Sequence, residues 1–313
     1  MEIQESAYAA WIAASLVVSF GLFGFLGLKG EPKQRSLAGW AFLLGTVLGL
    51  LGAKAAYYLC QIDFMIAEGW LDSLLTLNPE GLSFFGGAAG VCFGVALAAR
   101  RCGLRPVELL NRFVPYGLVL GALARFGEAF LGMLGIGLYL EDEALCFFPL
   151  AMGFSYGPDW TEWYLAVFTL EGIALLTVAA FSRWKLKEHR FLRSVFWMCL
   201  PQILLENLRL GSFMWFFCIR VEQLACMLAM FAILILYGVR SKGQPRRFLP
   251  AGIAVLCAGL FIVCEFAMEG KIVFLRFLDL AACYALMAAG QAVLGTLEII
   301  AFRKRRAAEG GKA

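Results

Sequence analysis

The chain has 313 residues, 61% of them hydrophobic and only 16% charged, with a mean hydropathy of +0.78. Water-soluble domains run at roughly 45–50% apolar and about 25% charged residues, so this composition excludes an ordinary soluble fold. The net charge of +4 does not indicate nucleic-acid binding, because the basic residues sit between long apolar runs and read as the cytoplasmic rim of a membrane protein.

A bilayer core about 30 Å thick requires about 20 apolar residues per helix. The first run of that kind, 8–28, is followed by Lys29, Lys33 and Arg35. No cleavage site for a signal peptide is apparent near it, and it is long enough to remain as a membrane helix. The second run, 38–60, carries Lys54 and leads into an acidic loop with Asp63, Glu68, Asp72 and Glu80. The third, 82–99, opens on the small-residue stretch GLSFFGGAAG at 81–90 and ends in Arg100, Arg101 and Arg105. Such a stretch permits close helix contact or a break at the membrane surface.

The fourth run, 107–137, holds Arg125 and Glu128, spaced to share one helix face. Behind it lies a second acidic loop with Glu141, Asp142, Glu143 and Asp159. Its aromatics Tyr139, Phe147, Phe148, Tyr156 and Trp160 suit a membrane interface. The fifth run, 162–181, precedes Arg183, Lys185, Lys187, Arg190 and Arg193, and the single histidine, His189, reads as a solvated residue of that loop. The sixth, 194–217, repeats the charged spacing with Glu206 and Arg209.

The seventh run, 221–239, leads to the basic loop SKGQPRR at 241–247, and runs at 248–268 and 275–302 complete the series before a basic tail. The basic clusters all fall on one face, and two of the alternate loops are acidic. Lysine and arginine mark the cytoplasmic side, so the pattern predicts an all-α, polytopic transmembrane bundle of about nine spans, with the N-terminus outside and the C-terminus cytoplasmic. The ten cysteines show no metal-ligand spacing and read as small apolar packing residues; neither a metal nor a cofactor is expected.

Ionisable groups inside spans are costly and therefore informative. In this topology Lys54, Arg125, Glu128, Glu206 and Arg209 all fall in the outward half of the bilayer. They form either ion pairs that lock helices together or a cradle for a phosphate headgroup. Glu171, Glu265, Asp279 and Glu298 are isolated and read as structural pairs.

Four blocks, in order, resemble the prolipoprotein diacylglyceryl transferase family. Gly52-Ala53-Lys54-Ala55-Ala56-Tyr57-Tyr58 is similar to that family's G-A-R-L-x-Y, with lysine for arginine. Leu82-Ser83-Phe84-Phe85-Gly86-Gly87 resembles S-F-H-G-G, with Phe85 at the histidine position. Ala124-Arg125-Phe126-Gly127-Glu128-Ala129-Phe130-Leu131-Gly132-Met133 resembles G-R-x-G-N-F-x-N-G-E, with both asparagines and the glutamate replaced. Gln202-Ile203-Leu204-Leu205-Glu206-Asn207-Leu208-Arg209 resembles R-F-x-x-E-F-x-R, and Leu170-Glu171-Gly172 a weaker L-E-G.

The resemblance covers about 8–240 and implies a membrane domain at 1–240 with a two-helix extension at 241–313. It implies transfer of diacylglycerol from phosphatidylglycerol to the lipobox cysteine of a prolipoprotein, at the outer face of the bacterial plasma membrane. Carried over residue by residue, Arg125, Glu206 and Glu128 are the catalytic candidates, Glu128 being either a substitute base or one half of a self-neutralising pair with Arg125. Lys54, Tyr57, Ser83, Gly86, Gly87 and Arg209 are the candidates for binding the headgroup. The expected partners are phospholipid, prolipoprotein signal segments and the membrane, with no nucleic acid. The substitutions, above all Phe85, also allow a non-catalytic homologue that binds phospholipid or signal segments as an accessory protein. A transporter is the third alternative, opposed by the lack of an inverted repeat or paired broken helices.

Overall fold

A computed structural model describes residues 4–62, 81–155, 160–210, 214–216, 219–241, 243–244, 246–271, 275 and 278–310. The described residues are mostly helical (78%). The acidic loop with Asp63, Glu68, Asp72 and Glu80 lies outside the described residues, as do Tyr156 and Asp159.

Each of the nine apolar runs contains one long helix: α1 Glu5–Leu22, α2 Gln34–Cys60, α3 Phe84–Arg101, α4 Pro106–Gly127, α5 Val167–Trp184, α6 Arg190–Asn207, α7 Val221–Arg240, α8 Leu249–Met268 and α9 Leu280–Gly310. Among the described residues seven of these are long and apolar enough to cross a membrane. Neither α3 nor α6 is among the seven; α6 carries Arg190, Arg193 and Glu206 within eighteen residues.

Three departures of the helices from the apolar runs bear on the site. The fourth run does not continue as an α-helix to residue 137: α4 stops at Gly127 and a 3-10 segment, Glu128–Gly135, follows, kinked at Gly132 (φ 62°). The fifth run begins as a strand, Thr161–Leu165 (β2), paired antiparallel with Ala151–Ser155 (β1). The sixth ends at Asn207, so Glu206 and Arg209 do not share a helix face; Arg209 sits in a β-bridge with Gly137.

The chain forms two compact units. The first comprises residues 1–194 and 208–222. Its interior is aromatic and aliphatic: Phe20, Phe23, Leu37, Val95, Leu109 and Phe113 are buried together, with Phe23 set edge-on to Phe113 at 5.1 Å. Helices α2 and α3 approach backbone to backbone. A methyl group at Gly90 would lie 2.0 Å from the Leu48 carbonyl oxygen, and one at Gly86 2.4 Å from that of Gly52. In lipid, where helices gain nothing from hiding apolar surface from one another, such small-residue seams supply the close packing. Ser83 caps α3, its Oγ accepting from the Gly86 N–H at 3.2 Å.

Between α4 and α5 the chain needs partners for backbone groups that no helix satisfies. Residues 136–140 find them on both sides. Gly137 and Leu140 donate to Leu165 and Trp163 of β2, while Leu138 donates to Leu208 and Leu210 donates back to Ile136. This small β layer holds the segment around Arg209. Arg220 fixes it further, both terminal guanidinium nitrogens donating to the Arg209 carbonyl at 3.3 Å.

The second unit comprises residues 195–207 and 223–313. Its interior holds an amide network. Gln223 donates to Asn207 Oδ1 at 2.7 Å, and Asn207 Nδ2 points to the Met287 sulfur at 3.4 Å. Arg305 is buried with its guanidinium 5.4 Å from the Tyr237 ring centroid.

Candidate functional site

Within the first unit, two arginines and three glutamates from distant parts of the chain meet at the ends of α4, α5 and α7. Arg125 lies in the last turn of α4 and contacts a different carboxylate with each guanidinium nitrogen. Nη1 donates to Glu128 Oε1 at 2.6 Å, Nε lies 3.1 Å from Glu171 Oε2, and Nη2 donates to Glu222 Oε2 at 2.6 Å. Arg209 reaches the same group from the β layer, its Nη2 2.8 Å from Glu128 Oε2 and also hydrogen-bonded to Glu171 Oε2.

Stripping water from an ion costs several kcal/mol, so these side chains are stable there only because they are paired. The pairing is unequal among the described residues, where two guanidinium groups face three carboxylates. Exposure is unequal too. The Glu171 side chain is wholly buried and its Oε1 has no hydrogen-bond partner among the described residues, whereas Glu128 and Glu222 are each 12% exposed.

Local sequence explains how the helices come this close. Gly172, next to Glu171, faces the Phe126 ring, and a methyl group there would lie 2.3 Å from that ring. A larger residue would push α5 away from α4 and Glu171 away from Arg125. The Trp11 indole of α1 donates to the Leu123 carbonyl at 2.6 Å, holding the end of α4 that carries Arg125.

Of the residues singled out in the sequence, Arg125, Glu128 and Arg209 are brought together. The motif at the start of α3 joins them through Phe84, whose ring centroid is 4.1 Å from the Arg125 guanidinium carbon. Phe85 packs edge-on against Phe84 at 5.4 Å. Ser83 and Gly86 serve the α3 cap and the α2–α3 seam, and Gly87 lies against α2 within ordinary contact of Ala53. Lys54 and Tyr57 lie toward the C-terminal end of α2, with Lys54 Nζ 5.8 Å from the Tyr58 ring centroid. Glu206 is buried and belongs to the second unit.

Two members were missed. Glu171 reads in the sequence as an isolated structural carboxylate, yet it touches both arginines. In the sequence Glu222 reads only as an acidic residue two positions after Arg220, and in the structure it stands in the first turn of α7. Among the described residues, no group of three His, Cys, Asp or Glu side chains is arranged to hold a metal ion.

Fold and site together define a polytopic helical membrane protein with a buried arginine–glutamate network at one end of its bundle. The family model for prolipoprotein diacylglyceryl transferase matches residues 1–239, and the chain belongs to that family. It is 22% identical over 255 residues to a phosphatidylglycerol–prolipoprotein diacylglyceryl transferase of Lactobacillus delbrueckii subsp. bulgaricus, a match covering 77% of this chain and 91% of the relative. A second such relative, from Frankia alni, is 28% identical over 125 residues, or 40% of this chain and 33% of its own length.

Proposed function

We propose that the protein is a diacylglyceryl transferase of the bacterial plasma membrane in which carboxylates do the acid–base work of the missing histidine. On this reading it moves diacylglycerol from phosphatidylglycerol to the lipobox cysteine of a prolipoprotein. The chain crosses nine times with its N-terminus outside, and the Arg125 network faces the outer leaflet. Family membership and the alternation of basic and acidic loops support that arrangement. The match ending at residue 239 supports dividing the chain into a membrane domain at 1–240 and an extension at 241–313.

The observation that carries the mechanism is the excess carboxylate beside Arg125. Thioether formation needs a thiolate, an aligned C–O bond on the lipid and a stabilised phosphate leaving group. Glu128, like Glu171, is shared by both arginines, and of the two it is the partly exposed one, so an incoming thiol can reach it. Taking the thiol proton removes the charge of Glu128 and leaves two guanidiniums facing two carboxylates. The N–H donors of Arg125 and Arg209 that Glu128 held are then released to the phosphate. The thiolate sulfur bonds to the glycerol carbon, the C–O bond to phosphate breaks, and glycerol phosphate leaves with the electron pair, to be protonated afterwards. Proton uptake and phosphate binding are thereby one event. Lys54, Tyr57, Ser83, Gly86 and Gly87 form the headgroup side of this scheme, which assigns no step to Glu206 of the second unit.

A second reading, a non-catalytic homologue that binds phospholipid or signal segments, is favoured by Phe85 at the histidine position and by arginines already engaged by carboxylates. Expression in cells depleted of their own transferase separates the two. Restored lipidation of lipoproteins is the expected result. Correct membrane insertion without lipidation supports the accessory role instead.

A further inference from the structure

Opposite the Arg125 network, the first unit has another concentration of charge. A cavity of about 270 Å³ is lined by Lys29 and Glu31 after the first helix, Arg112 and Tyr116 of α4, Arg183 at the end of α5 and Arg190 at the start of α6. Arg112 and Arg125 stand thirteen residues apart on α4, about 20 Å at 1.5 Å per residue, so the two sites are separate.

We propose that this cavity binds the phosphate of an anionic phospholipid headgroup. Four cations line it against one carboxylate. Arg112 is held by Glu31, and Arg190 donates from Nε to the Leu186 carbonyl at 2.8 Å and from Nη1 to that of Asn111 at 3.5 Å. Lys29 and Arg183 make no hydrogen bond or ion pair with any described residue, and both line the cavity and are exposed. Arg190 holds its proton less firmly than an ordinary guanidinium, first because it is partly buried and then because Arg183 repels it. A bound anion relieves that repulsion and gives Lys29 and Arg183 a partner.

The apolar surroundings decide the source of the phosphate. Leu26 lines the cavity and is 57% exposed; next to lining residues in the chain stand Phe25, 78% exposed, and Trp184, 73% exposed. A soluble phosphate has no use for such side chains, whereas acyl chains lie against them when a headgroup occupies the cavity. The residues come from three connections that the sequence marks as basic, at 29–35, 100–105 with its following helix, and 183–193.

The test is photo-crosslinking of the full chain in detergent with phosphatidylglycerol bearing a diazirine on its acyl chain, followed by peptide mapping. Adducts are expected around residues 25–30 and 183–190. The Lys29→Ala/Arg183→Ala variant should lose about thirtyfold of that yield, at the worth of two basic groups near an anionic headgroup. Crosslinks elsewhere in that variant serve as the folding control, and a phosphatidylcholine probe should not label these peptides. Unchanged yield in the variant overturns the proposal. So does full competition by free glycerol phosphate at the probe's own concentration, which would make the site one for a soluble anion. Neither outcome bears on the lipidation assay, since both substitutions lie far from the Arg125 network.

Discussion

Nε of Arg125 lies 3.1 Å from Oε2 of Glu171, a carboxylate with no solvent exposure, and the same oxygen accepts from Arg209. One buried atom therefore joins the end of α4 to the β layer. Breaking a buried pair by removing one partner costs about 3–5 kcal/mol, because the other charge is left uncompensated. Glu171→Ala should lower the apparent melting temperature of the detergent-solubilised protein sharply, with Glu171→Gln intermediate because it keeps the volume. Wild-type melting of Glu171→Ala would show that the network does not hold these elements together.

Arg125 engages three carboxylates through three nitrogens in one plane. A lysine ammonium is a single point and cannot span them. Arg125→Lys should retain insertion yet lose about tenfold or more of any lipidation activity, at the worth of one or more charge-assisted hydrogen bonds. Lipidation in depleted cells is the readout, and equal activity of the lysine variant would rule out a role for guanidinium geometry.

The seam between α2 and α3 gives a stability prediction independent of the charges. Gly90→Ala must place a methyl group 2.0 Å from the Leu48 carbonyl oxygen, whereas Gly39→Ala meets nothing within 4 Å. Overpacking costs about 1–3 kcal/mol and more against backbone, while alanine in an open helical site gains up to about 1 kcal/mol over glycine. Gly90→Ala should aggregate or melt early and Gly39→Ala should match wild type or exceed it, as read by size-exclusion profile and thermal unfolding.

The helices were legible in the sequence because each apolar run is long and interrupted by charged residues. Arg112 of α4 lines one cavity with Arg183 and Arg190, which flank the connection between α5 and α6. The Arg125–Glu128 pair was legible as well, because residues three apart at a helix end are neighbours whatever else happens. Arg209 was misplaced for a physical reason: apolar content continues to residue 217, but the backbone after Asn207 pairs with Ile136 and Leu138 instead of continuing the helix. Glu171 and Glu222 were not legible as site residues, since only the three-dimensional path brings positions 171 and 222 to position 125. The five-residue strands β1 and β2 were hidden in the same way, one inside an acidic loop and the other at the start of an apolar run.

Glu128 separates a catalytic role from a structural one. It is the carboxylate in contact with both arginines at the partly exposed side of a network in which, among the described residues, three carboxylates face two guanidinium groups. Glu128→Gln removes that excess while keeping size and an oxygen that still accepts from one guanidinium. A purely structural Glu128 predicts a loss of stability and activity together. If it takes the thiol proton, lipidation falls by about a hundredfold or more, as is usual on losing a positioned base, while the melting temperature stays near wild type. Phe85→His supplies the counterpart. Its ring packs edge-on to Phe84, which lies under Arg125, so a histidine would stand beside the network. Because Glu128 already accepts the proton, Phe85→His alone should not raise lipidation, but combined with Glu128→Gln it should restore part of what was lost. Rescue in the double variant requires that the two positions serve the same proton; its absence, with Phe85→His alone raising activity, would assign the missing base to position 85 and leave Glu128 only its ion pairs.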